Sequence, residues 1–465
     1  MTYWLKPVIT RFFSYIRRNL SGDTVSFERL IMIAIPILLD SFIGTAVGVV
    51  NNSLISSSGA QSVAAVSMIG DLDILLEQCF VALATAGIVI IAQYVGKGDR
   101  DKARKASGQV IFSAVSFAVL LGILVLVFMK PLLTALFGNA EEEVFNGAVL
   151  YLTGLCISFP FYAAFQASLS PFYGSGNTKT AMALDIIISV IYMLLTVLFV
   201  GILRRGIWGL TSSLLLTRVF GCAIAFILLF RSREGKYLKA GDILRPNIGF
   251  IKSILMIGIP IALEQVFFNG GKVLIQTFIV MLGTVSLAAN AIAGAVSGLF
   301  YIPANVLAVV AMTVTGQCIG AERVGEAKRL LRNITVASAV VSAAAVAVML
   351  PLSPLLLKLY HISTDVASLA LLQIIITSVG LPLFWSQGFM MPSGLRAAGD
   401  VKFTTLTAMS SMWFFRVVFS YVFAIRLHFG LSGIYLAMIL EWAVRGFVFM
   451  LRIRGVKWYR HKVIQ

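Results

Sequence analysis

Twelve apolar runs, each long enough to cross a bilayer as a helix, leave this 465-residue chain few possible folds. About 20 mostly apolar residues span the hydrocarbon as an α-helix, and only helices or closed barrels satisfy their backbone polar groups there. A barrel needs short alternating strands, whereas these runs are continuous. They fall at 28–52, 62–95, 105–129, 143–173, 180–203 and 207–231, then at 251–282, 286–318, 328–350, 365–393, 403–426 and 431–452. Charged residues make up 12% of the chain, about half the roughly 25% of soluble domains, so an all-α polytopic membrane protein follows. Pro160, Pro303 and Pro382 fall inside runs and predict kinks.

The runs repeat. Ile33-Ala34-Ile35-Pro36 leads to Asp40 in the first, and Ile257-Gly258-Ile259-Pro260 leads to Glu264 in the seventh, an offset of 224. At that offset Gly59, Gly70, Gln93 and Gly96 meet Gly283, Gly294, Gln317 and Gly320; Gly206 and Gly209 meet Gly430 and Gly433. Gly176 and Lys179 meet Gly399 and Lys402 at 223. Six spans per copy give both copies one orientation, hence two six-helix lobes related by a pseudo-twofold along the membrane normal. The expected parts are an amphipathic segment 1–26 on the cytoplasmic face, a first lobe 27–231, a linker 232–250, and a second lobe 251–465 with a basic tail. Residues 1–26 have too short an apolar run, and no small-residue cleavage site, for a secretory signal.

The net charge of +17 follows orientation rather than nucleic acid. With both termini inside, 28 Lys and Arg residues lie in cytoplasmic segments, five in outer loops and four within spans, as the positive-inside rule requires of an inner-membrane protein with cytoplasmic termini. Cys79, Cys156, Cys222 and Cys318 lie in apolar runs with no CxxC pairing, and the three histidines are scattered, so no metal site or disulfide is expected. Neither a phosphate loop nor a nucleophile elbow points to an enzyme.

Ionisable groups at membrane depth are costly, so each needs a partner or a function. Arg416 and Glu441 reach similar depth, and Arg445 is one turn from Glu441, which reads as a structural ion-pair cluster. Asp40 has no base in its own span, and Gly44, Val47, Gly48 and Asn51 continue its face. Asp71, Asp73 and Glu77 crowd one span and match Ala295, Ser297 and Tyr301 in the second copy. Crowded acids repel one another and suit a proton or cation site, unless they are merely solvated near the outer interface. Glu264 is followed by Gln265, Asn269 and Lys272, the last about 12 Å outward, a candidate substrate-binding face of the second lobe. Asp185 and Arg218 are not assigned by this reading, since Arg218 lies too deep to pair well with Asp185.

Gly48-Val49-Val50-Asn51-Asn52, Ala82 to Gly87, Gln93-Tyr94-Val95-Gly96, Gly174 to Lys179, Gly316 to Gly320 and Ala398-Gly399-Asp400 stand in an order and spacing that resembles the multidrug and toxic compound extrusion family. The resemblance implies a twelve-span exporter of organic compounds, driven by H⁺ or Na⁺ and otherwise free of cofactors. Many members carry an aspartate where Asn51 stands. Asparagine cannot titrate, so Asp40, on the same face about 16 Å inward, is expected to carry the coupling with Asp71 and Asp73 as helpers. Glu264 matches the family's second-lobe acid in type more than in position. The resulting expectation is a monomeric, cation-coupled antiporter that exports amphipathic, cationic compounds by alternating access. Phe42, Met68, Phe80, Phe267, Phe268 and Phe300 are offered either to substrate or to helix packing. The alternative, a lipid-linked oligosaccharide flippase, calls for several free bases to hold pyrophosphate.

Overall fold

The computed structural model describes residues 17–56, 60–137, 141–232, 238–360, 362–460 and 463. It contains twelve helices long and apolar enough to span a membrane, and no strand among the described residues. They are α1 (Phe27–Ser56), α2 (Ala60–Lys97), α3 (Arg100–Phe137), α4 (Glu142–Ser175), α5 (Thr178–Ile202), α6 (Gly206–Arg231), α7 (Ile248–Met281), α8 (Thr284–Gly320), α9 (Val324–Leu359), α10 (Thr364–Ala397), α11 (Val401–Arg426) and α12 (Gly430–Arg454). Most overrun the apolar runs because polar turns outside the hydrocarbon continue the helix; α3, for example, begins at Arg100. Pro382 opens a π-helical stretch, Leu381–Met390, where the missing proline N–H breaks the i→i−4 ladder. All four cysteines are free.

The repeat reappears in the backbone. Left-handed residues occur in matched pairs: Gly98 and Glu322, Gly176 and Gly399, Arg204 and His428, Gly206 and Gly430. Three of these pairs stand 224 apart and the second 223. A reversal between two long helices needs such a residue, and glycine adopts it without the Cβ penalty. Gly209 and Gly433 serve a second shared need. A Cβ at Gly209 would sit 2.8 Å from the Phe199 carbonyl oxygen, and one at Gly433 would sit 2.7 Å from the Ala424 nitrogen. Each glycine thus lets one helix abut the backbone of the preceding one.

The chain divides into two compact units, one of Ile35–Ala262 and one of Met1–Ala34 with Leu263–Gln465. The divisions fall inside α1 and α7, within two residues of Pro36 and Pro260, rather than within 232–250. A proline frees a carbonyl and makes a helix easiest to bend there. Part of the expected linker is instead docked in the first of these units. A short helix, Ala240–Leu244, packs on α3, where Asp242 pairs with Arg104. Gln109 Nε2 donates to the carbonyls of Asp242 (2.6 Å) and Arg245 (2.9 Å), and its Oε1 accepts from the Asn247 N–H (2.8 Å).

The expected amphipathic segment lies outside the described residues up to position 16. The part described is strapped to α9 in its own unit. Thr24 donates through its backbone N–H and its hydroxyl to Glu326, each at 2.9 Å, and Asn333 Nδ2 donates to the Asn19 carbonyl at 2.6 Å.

Candidate functional site

In the unit Ile35–Ala262, α6 carries Arg218 to the centre of a polar cluster, leaving it only 8% exposed. Its guanidinium hydrogen-bonds Glu77 on α2, donates to Ser158 Oγ on α4 at 2.8 Å, and stands 3.8 Å from Asp73. It also lies over the Tyr162 ring, 4.6 Å from the centroid. Asp73 and Glu77 therefore share one base, which offsets one of their two charges and ties α2, α4 and α6 together, an arrangement that favours a fixed cluster. This is a different setting from the free acidic group that the sequence suggests for α2. The side chains of Asp71 and Asn51 lie outside the described ones.

Asp40 on α1 has another environment. Among the described residues no Lys or Arg forms an ion pair with it, and Asp185 on α5 lies close enough to act on it electrostatically. The Tyr173 phenol of α4 hydrogen-bonds Asp185. Asp185 thus joins Asp40 in a pair of half-buried acids that no described base neutralises. Sequence reasoning left Asp185 open; the available signal was an acid in a span with no base of its own.

In the other unit, Glu264 on α7 is enclosed rather than free. Arg396 Nη2 donates to both its carboxylate oxygens at 2.7 and 2.5 Å, Arg445 Nη2 approaches at 3.4 Å, and Thr405 Oγ1 donates at 3.3 Å. Arg396 corrects the charge map: the positive-inside count places it in a cytoplasmic segment, whereas α10 continues to Ala397 and its side chain is 11% exposed. Arg445 also reaches Glu441 at 3.6 Å, with Arg416 at 4.0 Å and Ser411 Oγ at 3.2 Å, so Arg416, Glu441 and Arg445 meet and extend to Glu264.

Gln265, Asn269 and Lys272 do not join Glu264. Asn269 donates to the Gln265 carbonyl at 2.9 Å, and Lys272 Nζ lies 4.8 Å from the centroid of the Phe268 ring. Phe268 continues into an aromatic group with Phe389, Trp385, Tyr301 and Trp442. Of the aromatic residues offered to substrate, Phe80 and Phe300 are fully buried packing residues, whereas Phe42 and Phe267 are 48% and 41% exposed.

The MatE family model matches the chain twice, over residues 36–199 and 260–422, in the register of the internal repeat. The chain belongs to the MatE family. Its relatives include an uncharacterized transporter, YisQ, of Bacillus subtilis (strain 168), 26% identical over 91% of this chain and 93% of that one. Another is a probable multidrug resistance protein, NorM, of Thermotoga maritima, 22% identical over 94% of each chain. Among solved structures, a MATE protein in complex with MaD3S superposes with a TM-score of 0.84 at 20% identity over 94% of this chain and 97% of that one. An outward-facing multidrug resistance MATE family transporter gives 0.83 at 20% identity, over 94% of this chain and 97% of that one. The chain is therefore a multi-pass membrane protein of a multidrug-efflux transporter family with the twelve-helix MATE fold, and the resemblance read from its motifs holds.

Proposed function

We propose that this MatE-family chain is a cation-coupled antiporter that exports amphipathic organic compounds from the cytoplasm across the inner membrane. The coupling ion, H⁺ or Na⁺, binds at Asp40 and Asp185. One observation carries this reading. Asp73, Glu77, Glu264 and Glu441 each stand within 4.0 Å of an arginine, whereas no described base pairs with Asp40 or Asp185. Two carboxylates within electrostatic range and without a counter-charge repel, and a proton or metal cation bound at either relieves that repulsion. A cationic group on a substrate relieves it equally well, so ion and substrate compete for the pair, and each drives release of the other as access alternates. Tyr173 orients the Asp185 carboxyl.

The flippase alternative is not favoured. It calls for several free bases deep in the spans, yet Arg218, Arg396, Arg416 and Arg445 are all engaged by carboxylates, and among the described residues Lys272 lies against the Phe268 ring. The test is dye export from proteoliposomes under an imposed pH gradient or an imposed Na⁺ gradient, one at a time. Export driven by one of them supports the reading, and export that neither accelerates refutes it.

A further inference from the structure

A cavity of about 450 Å³ opens in the unit that contains α9, α10 and α12, where α9 begins and α12 ends. None of the acids described above lines it. Its rim is basic: Lys328, Arg329 and Arg332 on α9 and Arg454 on α12, with no acidic side chain in the lining. Two of these bases are tethered, Lys328 Nζ to the Arg454 carbonyl at 3.0 Å and Arg329 Nη2 to the Ser21 carbonyl at 2.8 Å. Both tethers end on neutral carbonyls, and among the described residues no acid forms an ion pair with any of the four bases. The Gln387 side chain also lines the cavity, and its Oε1 is buried with no hydrogen-bond partner.

The walls are apolar, formed by Val336, Met391, Met450 and Ile453. On α9 the row Lys328, Arg332, Val336, Val340 runs at i, i+4 spacing along one face, and so changes from charged to apolar within a turn. Val336 and Val340 are 59% and 56% exposed, and Val348 and Leu352 carry the exposed apolar surface further along the helix. A ligand that fits has an anionic head, a hydroxyl to satisfy Gln387 Oε1, and a long apolar tail that leaves along α9. Free phosphate or a nucleotide has no use for such a tail.

We infer that this cavity is a binding site for an anionic diacyl phospholipid of the inner leaflet, with its phosphodiester among Lys328, Arg332 and Arg454 and an acyl chain along Val336 and Val340. Basic pockets between helices on the cytoplasmic side suit such head groups, and each base near the surface strengthens the attraction. A lipid seated there bridges α9 and α12 and ties the site to membrane composition.

The test uses the full chain reconstituted in nanodiscs of phosphatidylcholine with 20% phosphatidylglycerol, with lipid retained through detergent extraction counted by mass spectrometry. Wild type is expected to retain phosphatidylglycerol about tenfold over phosphatidylcholine, and Arg332→Gln/Arg454→Gln to lose that preference. Neither side chain makes a described contact, and the wild-type arm stands alone if the double variant does not fold. Glycerol phosphate added in excess is expected not to displace the lipid. Equal retention of the two lipids by wild type, an undiminished preference in the folded variant, or displacement by glycerol phosphate overturns the inference.

Discussion

Replacing Glu264 with glutamine separates a structural acid from a functional one. The carboxylate is 6% exposed and receives two hydrogen bonds from Arg396, itself almost enclosed. Removing one partner of a buried ion pair costs about 3–5 kcal/mol, because the other charge stays buried alone. Arg445 keeps Glu441 at 3.6 Å, so the penalty falls on Arg396 alone and the lower end, ~3 kcal/mol, applies. Arg396→Gln is expected to cost less, because Arg445 still stands 3.4 Å from Glu264. The double variant removes both members of the pair and is expected to cost no more than Glu264→Gln alone, so the two changes are not additive in a double-mutant cycle. Unfolding free energies from SDS titration in mixed micelles measure all four corners. Asp40→Asn orphans no base, and the same titration is expected to show little loss. Wild-type stability of Glu264→Gln, or additivity of the two single changes, would refute the reasoning.

Other outcomes follow from the same geometry. Arg218→Met leaves Asp73 and Glu77 facing each other without their shared base and is expected to lose ~3 kcal/mol in the same titration. Gly209→Ala and Gly433→Ala each force a Cβ onto backbone atoms and are expected to lose about 1–3 kcal/mol apiece, read as lowered thermal midpoints in detergent. Gln109→Ala removes three hydrogen bonds that dock residues 242–247 on α3, each worth ~1 kcal/mol, and is expected to speed limited proteolysis near the short helix Ala240–Leu244 while leaving the rest of the chain intact.

The spans and the repeat were legible because both are local. Apolar length sets a helix in lipid, and a glycine needed for a left-handed reversal recurs wherever that reversal recurs, as at Gly176 and Gly399. Arg445 and Glu441 were legible for the same reason, standing one turn apart on α12. What was not legible depends on packing between distant helices. Glu77 and Arg218 are 141 residues apart, and Glu264 and Arg396 are 132 apart. No periodicity links them. Arg396 misled because it neighbours the polar turn Ala398-Gly399-Asp400. Helical side chains lean toward the N-terminus of their helix, so a base in the last turn of α10 leans back along the helix, where it meets Glu264. The partnership of Asp40 with Asp185 emerged only once α1 and α5 were placed, since an acid lacking a base on its own helix says nothing of which neighbour it faces.

The most direct measurement is gradient-driven dye export by Asp40→Asn and Asp185→Asn in proteoliposomes holding equal amounts of folded protein. Both are expected to bind a cationic dye more weakly and to fail to respond to the imposed ion gradient. Export at the wild-type rate by both variants, accelerated by the same gradient, would contradict the account.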